Sequence, residues 1–448
     1  VDGKTIKSKS STDEFPVNSE SRQKEKTMKG YSCSCVDRFL QYVKFDTQSS
    51  EESSSFPSTE KQKELGRYLV KELQELGMQE SVMDEWGYVT AVLPGNTEHA
   101  VPVIGLIAHM DTSPDVSGKG VNAMIHRNYA GGDLVLSTES GVVIKADENP
   151  LLGSQIGNDI ITSDGTTLLG ADNKAGIAEI MDALAYLVSH PEIEHGTIKV
   201  AITPDEEVGR GTEHFDVEKF GADYAYTIDG ETAGEIEDET FCADSAIMTV
   251  TGVNVHPGYA KNKLVNAIKI ASQVIDKLPA DRLSPENTEK REGYLHPHAI
   301  TGSVESVVVK FLVRDFTVEG LKEKEAFLQS ICGQVAEKHP KAKIELKVEE
   351  SYRNMKYMLD RDPRVVEYAV EAIAEAGLTP IRNIIRGGTD GARLSFAGLL
   401  TPNLFTGGHN FHSRQEWISV QDMQKAVDVI VKLVQVWVKK SPRHHLPV

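Results

Sequence analysis

The stretch Val103-Ile104-Gly105-Leu106-Ile107 runs without a polar break into Ala108-His109-Met110-Asp111. A short apolar run with no polar alternation reads as a β-strand covered on both faces, as in a sheet sandwiched by helices. Residues 88–93, 198–202 and 224–228 are strand-like in the same way. Around them the spacing changes to helical. Leu65, Tyr68, Leu69, Leu73 and Leu76 mark one amphipathic helix over 58–78, opened by Thr59 and Gln62 at capping-box spacing. A second, just after Asp172, carries Ile177, Ile180, Met181, Leu184 and Leu187, and a closing one carries Val420, Met423, Val427, Ile430, Val431 and Val434. Strands alternating with helices in this way predict an α/β fold with a mostly parallel central sheet.

Residues 247–350 break the alternation. They read as strand (247–253), helix (265–278), strand (302–314), helix (318–338) and strand (344–348). That is an inserted smaller α+β domain, a lid whose two crossings to the main body form a hinge. The expected organisation is therefore a leader over 1–27, a catalytic domain in two parts (28–246 and 351–440), the lid over 247–350, and a tail over 441–448. The leader is rich in Ser, Lys and Glu and reads as disordered. In the tail, His444 and His445 have no acidic neighbours in sequence, and the segment reads as frayed.

Composition narrows the classes. At 448 residues, 40% hydrophobic and 26% charged, the chain has material for two cores. A net charge of −19 argues against nucleic acid or an anionic membrane surface as partner. No apolar run reaches the roughly 18 residues of a membrane span. Cys33, Cys35, Cys242 and Cys332 do not make a disulfide framework. Cys33 and Cys35 lack a second pair and read as a reduced, intracellular couple rather than a chelate, in keeping with a cytoplasmic protein.

The strand ends carry the chemistry. His109, Glu207 and Asp229 each close or follow an apolar strand; Asp172 lies in Gly170-Ala171-Asp172-Asn173-Lys174, and His412 in Asn410-Phe411-His412. Two imidazoles and three carboxylates suit a pair of divalent ions sharing one carboxylate, the equipment for splitting an amide with metal-activated water. In His109-Met110-Asp111 the alternation of a strand places both side chains on one face, so Asp111 can orient the imidazole. Asp172 would serve equally well as a helix N-cap. In Pro204-Asp205-Glu206-Glu207 the adjacent acids can divide the labour, one ligating and the other holding a proton. His409 competes with His412. Arg386-Gly387-Gly388-Thr389-Asp390-Gly391 lacks the Lys-Ser/Thr ending of a nucleotide loop, but its backbone could still hold a carboxylate or carbonyl.

Taken together, 108–115, 168–176, 203–209, Asn254-Val255-His256-Pro257-Gly258, 386–392 and 403–412 give the chain its resemblance to a known family. From about Asp37 to Lys439 it resembles the peptidase T family of tripeptide aminopeptidases, within the larger group of two-zinc exopeptidases and amidohydrolases that carry a lid or dimerisation domain. The resemblance implies two zinc ions per subunit, one on His109 and Asp229, the other on Glu207 and His412, with Asp172 bridging. It implies Asp111 as the orienter of His109, Glu206 as general base and then acid, and His256 as a stabiliser of the oxyanion. Arg314 and Arg386 would hold the peptide's terminal carboxylate. The spacing of His412 to Glu416 matches the family's last ligand, which favours His412 over His409. Asn173 and His409 depart from the residues common there, aspartate and tyrosine. A cis peptide after Asp172 is expected, as is a short-peptide substrate attacked by a water shared between the ions. A homodimer through the lid is the expected assembly. A sister amidohydrolase, a deacylase of N-acyl amino acids or a carboxypeptidase, would use the same ligands.

Overall fold

A computed structural model describes residues 33–137 and 141–443. The leader expected over 1–27, with His444 and His445 of the tail, lies outside the described residues. In chain order the main strands are β1 (Gln79–Met83), β2 (Val89–Leu93), β3 (Ile104–His109), β4 (Ile198–Thr203), β5 (Tyr224–Gly230) and β6 (Glu235–Thr240). Then come β7 (Cys242–Thr251), β8 (Tyr294–Gly302), β9 (Ser306–Asp315), β10 (Lys343–Tyr352), β11 (Ile381–Ile385) and β12 (Asn403–Phe405). The helices that matter here are α1 (Cys35–Tyr42), α2 (Gln62–Glu75), α3 (Ala171–Ser189), α4 (Ala267–Asp276), α5 (Val318–Lys338), α6 (Arg364–Glu375) and α7 (Val420–Lys440).

Eight strands form the larger sheet in the order β1-β2-β4-β3-β5-β12-β6-β11. Its centre, β4-β3-β5-β12, is parallel, and so is the β6-β11 pair; β1, β2 and the β12-β6 contact are antiparallel. Every residue of β3 is buried, as its unbroken apolar run requires. Alternation sends Ile107, Ala201 and Ala225 to one face, where Phe220, Leu394 and Leu399 cover them. Tyr226 points to the other, where Trp437 of α7 donates to its hydroxyl at 3.0 Å. The sheet is thus covered on both sides, and the carboxyl ends of β3, β4 and β5, which carry or precede His109, Glu207 and Asp229, lie together at one edge.

The second sheet is antiparallel, in the order β8-β9-β7-β10. Met248, Val250, Val309 and Phe311 pack there with Ile270 and Val274 of α4 and Leu328 and Ile331 of α5. Two features differ from the reading of the sequence. The sheet has a fourth strand, β8, whose His296-Pro297-His298 disguises it. Proline is tolerated because β8 is an edge strand and the register shifts between Pro297 and Ala299. Its strands also reach from Cys242 to Tyr352, past both ends of 247–350. The chain passes between the sheets beside Asn354, which accepts from the Thr240 N–H (3.1 Å) and donates to Glu239 Oε1 (3.1 Å) and the Phe316 carbonyl (2.9 Å).

Two local expectations are corrected. The helix expected from residue 58 begins at Gln62, and no side chain caps it. Gln62 reaches across the molecule instead: its amide donates to Asp205 Oδ1 (2.6 Å), and its carbonyl accepts from the Asp205 N–H (3.1 Å). The beginning of the tail is tied down, with Ala100 N–H donating to the Pro442 carbonyl at 2.9 Å.

Candidate metal centre

His109 closes β3 and is 3% exposed. Its Nδ1 lies 3.1 Å from the Asp111 carbonyl oxygen and 3.4 Å from the Asp111 carboxylate, so Asp111 meets the ring through backbone and side chain together. Its Nε2 faces Asp172 Oδ1 at 2.9 Å and Asp229 Oδ1 at 3.5 Å. The Asp111 carboxylate also accepts the backbone N–H groups of Glu206 (3.0 Å) and Glu207 (3.2 Å). One buried carboxylate thereby ties the end of β3 to the turn after β4.

That turn is a short 3₁₀ segment, Glu206–Val208, entered through Asp205 at φ +58. Buried Asp205 accepts from the Ser58 N–H, the Ser58 hydroxyl and Gln62, which hold it in this left-handed conformation. Glu207 then points at His412, with Oε2 to Nε2 at 2.7 Å. His412 Nε2 lies 3.3 Å from Asp172 Oδ2, so Asp172 stands between the two imidazoles, one oxygen toward each.

Asp172 enters α3 with non-helical φ −83 and ψ 104, and its bond to Asn173 is cis. It caps nothing; Gly170 holds the N-cap position, so the N-cap alternative is set aside. Glu416, 1% exposed, fastens this loop by accepting the N–H groups of Leu169 (2.7 Å), Gly170 (2.8 Å) and Asp172 (3.0 Å). Asn173 donates to Asp229, which closes the ring of side chains. His412 itself stands on a loop between Gly408–His409 and Trp417–Ser419, two strands of a small sheet completed by Ile160–Thr162 and Met124–His126.

The electrostatics are lopsided. Asp111, Asp172, Glu206, Glu207, Asp229, Asp390 and Glu416 crowd into one buried region. Lys174 is the one buried lysine or arginine among the described residues, and its ammonium is spent on the Phe45 carbonyl at 2.8 Å. Burial and then the charge of Asp172 push Glu207 up to about 8; burial raises Asp229 to about 6 and Asp390 to about 7. Burial acts against the His412 cation, but hydrogen bonds to Asp172 and Glu207 carry it up to about 11. Burial likewise opposes ionised Asp172, yet the two imidazoles hold it well below the usual carboxylate range. Glu207 Oε1 is buried with no hydrogen-bond partner. His109, Asp172 and Glu207 bring ligand atoms within 4.8 Å of one another. Unbalanced carboxylates, an orphaned oxygen and two opposed imidazoles fit divalent cations well.

Comparison with known proteins agrees. The model of peptidase family M20/M25/M40 matches residues 165–436. A peptidase T of Caldanaerobacter subterraneus subsp. tengcongensis is 50% identical over 406 residues, covering 91% of this chain and 99% of that one. The chain belongs to the M20 peptidases, in their peptidase T branch. A peptidase T of Halothermothrix orenii is likewise 50% identical over 405 residues, 90% of this chain and 99% of its own. Among solved structures, an aminopeptidase PepT of Bacillus cereus superposes with TM-score 0.70 at 25% identity, over 91% of this chain and 98% of that one. A tripeptidase of Staphylococcus aureus has TM-score 0.71 at 22% identity, over 91% of this chain and 98% of its own, and shares the fold.

The M20 fold brings His109, Asp111, Asp172, Glu206, Glu207, Asp229 and His412 together. His409 is not among them: its ring lines the cavity beside Asp172 and His412 but is buried against Trp417, centroids 4.2 Å apart, and burial lowers it to about 4. The three other site residues expected from the sequence make their hydrogen bonds and ring contacts outside this cluster. His256 is exposed and accepts from the Gly258 N–H. Arg314 donates to the carbonyls of Asp244 and Val313 and lies over the Tyr352 ring. Arg386 donates to the carbonyls of Lys290 (2.6 Å) and Glu292 (2.9 Å) and to the Thr288 hydroxyl (2.9 Å). Sequence reasoning overlooked Asp205, and it passed over Asp390, a buried carboxyl that accepts from Thr203 Oγ1 at 2.8 Å and adds to the negative field at Glu206. Asp205 stood in plain view at the head of an acidic triplet after a buried strand.

Proposed function

We propose that this M20 peptidase is a two-zinc aminopeptidase that releases the N-terminal residue of short peptides, tripeptides above all. His109 and Asp229 would hold one ion, Glu207 and His412 the other, and Asp172 both. The observation that carries this reading is Asp172 standing between two imidazoles, inside a crowd of carboxyls that outnumbers the cationic groups around it. When bound, the metal would polarise the scissile carbonyl and acidify the attacking water.

The chain's own part is proton traffic and positioning. Glu206 is half-buried, and desolvation first, then the charges of Asp390, Asp229 and Glu207, hold its carboxyl well above the usual range against the pull of His109. A carboxylate of raised basicity takes the proton from the attacking water and returns it to the leaving amine. Asp111 aims Glu206 and Glu207 through their backbone N–H groups. His256, Arg314 and Arg386 serve the oxyanion and the terminal carboxylate in this reading, which requires the two guanidinium groups to exchange their present carbonyl partners for substrate. Free thiols at all four cysteines support a reducing, cytoplasmic setting.

Charge also favours a free amine. A cavity of about 600 Å³ beside Asp172 and His412 is lined by Glu148, Glu231 and Trp417, and among the described residues no lysine or arginine lines it. An ammonium group gains from such a wall, and an N-acyl group gains nothing. The test is hydrolysis of di-, tri- and tetrapeptides and of the N-acetylated tripeptide by zinc-loaded protein, with products identified by mass. Release of the first residue from the free tripeptide is expected. Preference for the blocked peptide would sink the aminopeptidase reading in favour of a deacylase.

A further inference from the structure

On the side of α3 away from its first turn, a second cluster gathers around the start of α1. Cys33 Sγ lies 3.2 Å from Cys35 Sγ and 3.0 Å from Asp182 Oδ2, and the three residues' ligand atoms all fall within 4.8 Å of one another. Asp182 is fully buried and is aimed by Ser34, whose N–H donates to both of its oxygens (3.1 and 3.2 Å) and whose hydroxyl donates to one. Arg38 Nε stands 3.6 Å from the same carboxylate but is shared with Glu72.

A separate observation points to a missing ligand. Glu179, one helical turn before Asp182, is 0% exposed, and neither of its carboxylate oxygens has a hydrogen-bond partner among the described residues. The ionisable groups that bear on it are Cys33 and Asp422, and it bears in turn on Cys35. A buried carboxyl with no hydrogen bond, one helical turn from Asp182, is costly, and burial keeps it protonated unless a cation is drawn to it.

We propose that Cys33, Cys35, Asp182 and Glu179 form a structural site for one borderline-soft divalent cation, zinc by preference. Two sulfurs and the Asp182 carboxylate are already gathered, and the Glu179 side chain would turn to supply the fourth ligand such a site takes. Binding expels the two thiol protons to solvent and staples the chain before α1 to the middle of α3. Asp182 is ten residues along the helix from Asp172, roughly 15 Å at helical rise, so the staple and the catalytic cluster are separate. The chelate that the sequence alone disfavours is thereby taken up, against the reading of Cys33 and Cys35 as a reduced couple.

The test compares the full-length protein with Cys33→Ser/Cys35→Ser, both zinc-loaded under reducing conditions, so that the difference in zinc content is independent of what the catalytic cluster holds. The double variant should bind one zinc ion fewer and keep its peptidase activity. Cobalt in place of zinc should give a thiolate-to-cobalt charge-transfer band that the variant lacks. Glu179→Gln, which keeps both thiols and the shape of the core, should weaken cobalt binding at that band by at least ~10-fold. Equal zinc content in the two proteins, a cobalt form without the sulfur band, or a Cys33–Cys35 disulfide in the metal-loaded protein would each overturn the proposal.

Discussion

Gly176 sits on α3 where the helix presses against β5, and it sets how close Asp172 stands to Asp229. A methyl group there would lie 1.9 Å from the Ile228 carbonyl oxygen and 2.2 Å from Asn173 Oδ1. Ordinary contact begins at 3.4 Å, so the first approach is short by about 1.5 Å. Neither neighbour can yield cheaply: one is the backbone of a central strand, the other an amide whose nitrogen holds Asp229. In Gly176→Ala the helix must therefore back away from the strand. Overpacking of this kind costs about 1–3 kcal/mol, and contact with strand backbone places it at the upper end. The functional damage should be larger than the loss of stability. Metal ligation tolerates only about ±0.2 Å, several-fold less than the displacement demanded. Chemical denaturation and zinc stoichiometry of the folded variant measure the two effects separately. The expected result is a protein that folds with a lower midpoint and no longer holds a full complement of zinc. If Gly176→Ala binds zinc as the parent does, the packing of α3 on β5 does not set the ligand geometry, and the reasoning fails.

Three further outcomes follow from the same geometry. Glu206→Gln should retain its zinc and lose about 10²–10⁴ in kcat, the usual worth of a general base; wild-type turnover would remove Glu206 from that role. Glu416→Gln keeps an acceptor for Leu169 and Gly170 but sets an amide against the Asp172 N–H. That should cost about 1–3 kcal/mol and lower zinc affinity by about 10–100-fold; unchanged affinity in a titration would show that the clamp is idle. The last concerns pH. Burial works against it, but Asp172 and Glu207 raise His412 from 6.5 to about 11 in the metal-free protein, so the folded state holds that proton at neutral pH. The pairing stabilises the metal-free fold fully below about 6.5, and that contribution disappears as pH rises through about 11. Coordination needs the neutral ring, so zinc must displace the proton, and its affinity should climb with pH across that window. Calorimetry in buffers of different ionisation enthalpy reads the proton release directly; a release of none would contradict the pairing.

How far this site could be read from the chain depended on whether each signal was local. The apolar runs of β3, β4 and β5 announce strands because burial on both faces leaves no room for polar alternation. A parallel sheet then gathers strand ends at one edge, and His109, Glu207 and Asp229 came into view together for that reason. The supports were hidden because their partners are remote. Glu416 bonds backbone 244 to 247 residues away, and Asp205 is held by Ser58 and Gln62 some 143 to 147 residues before it. Thr59 and Gln62 looked like a capping box because the spacing is right, and nothing nearby in sequence reveals that Asp205 competes for Gln62. Strand β8 was missed for the opposite reason: Pro297 is a true local signal against a strand, overruled by an edge position that only the assembled sheet supplies. His256, Arg314 and Arg386 make a third case. His256 and Arg314 are carried by the smaller sheet's segment, so their distance from the cluster depends on the angle between the two sheets; Arg386 follows β11 of the larger sheet and is bound to the smaller sheet's loop at 288–292. No residue type encodes that angle. Asn354, the Arg291–Glu239 pair and the hold of Arg386 on Lys290, Glu292 and Thr288 are contacts across that junction, and under the proposed role of Arg386 a substrate carboxylate would exchange the last of them.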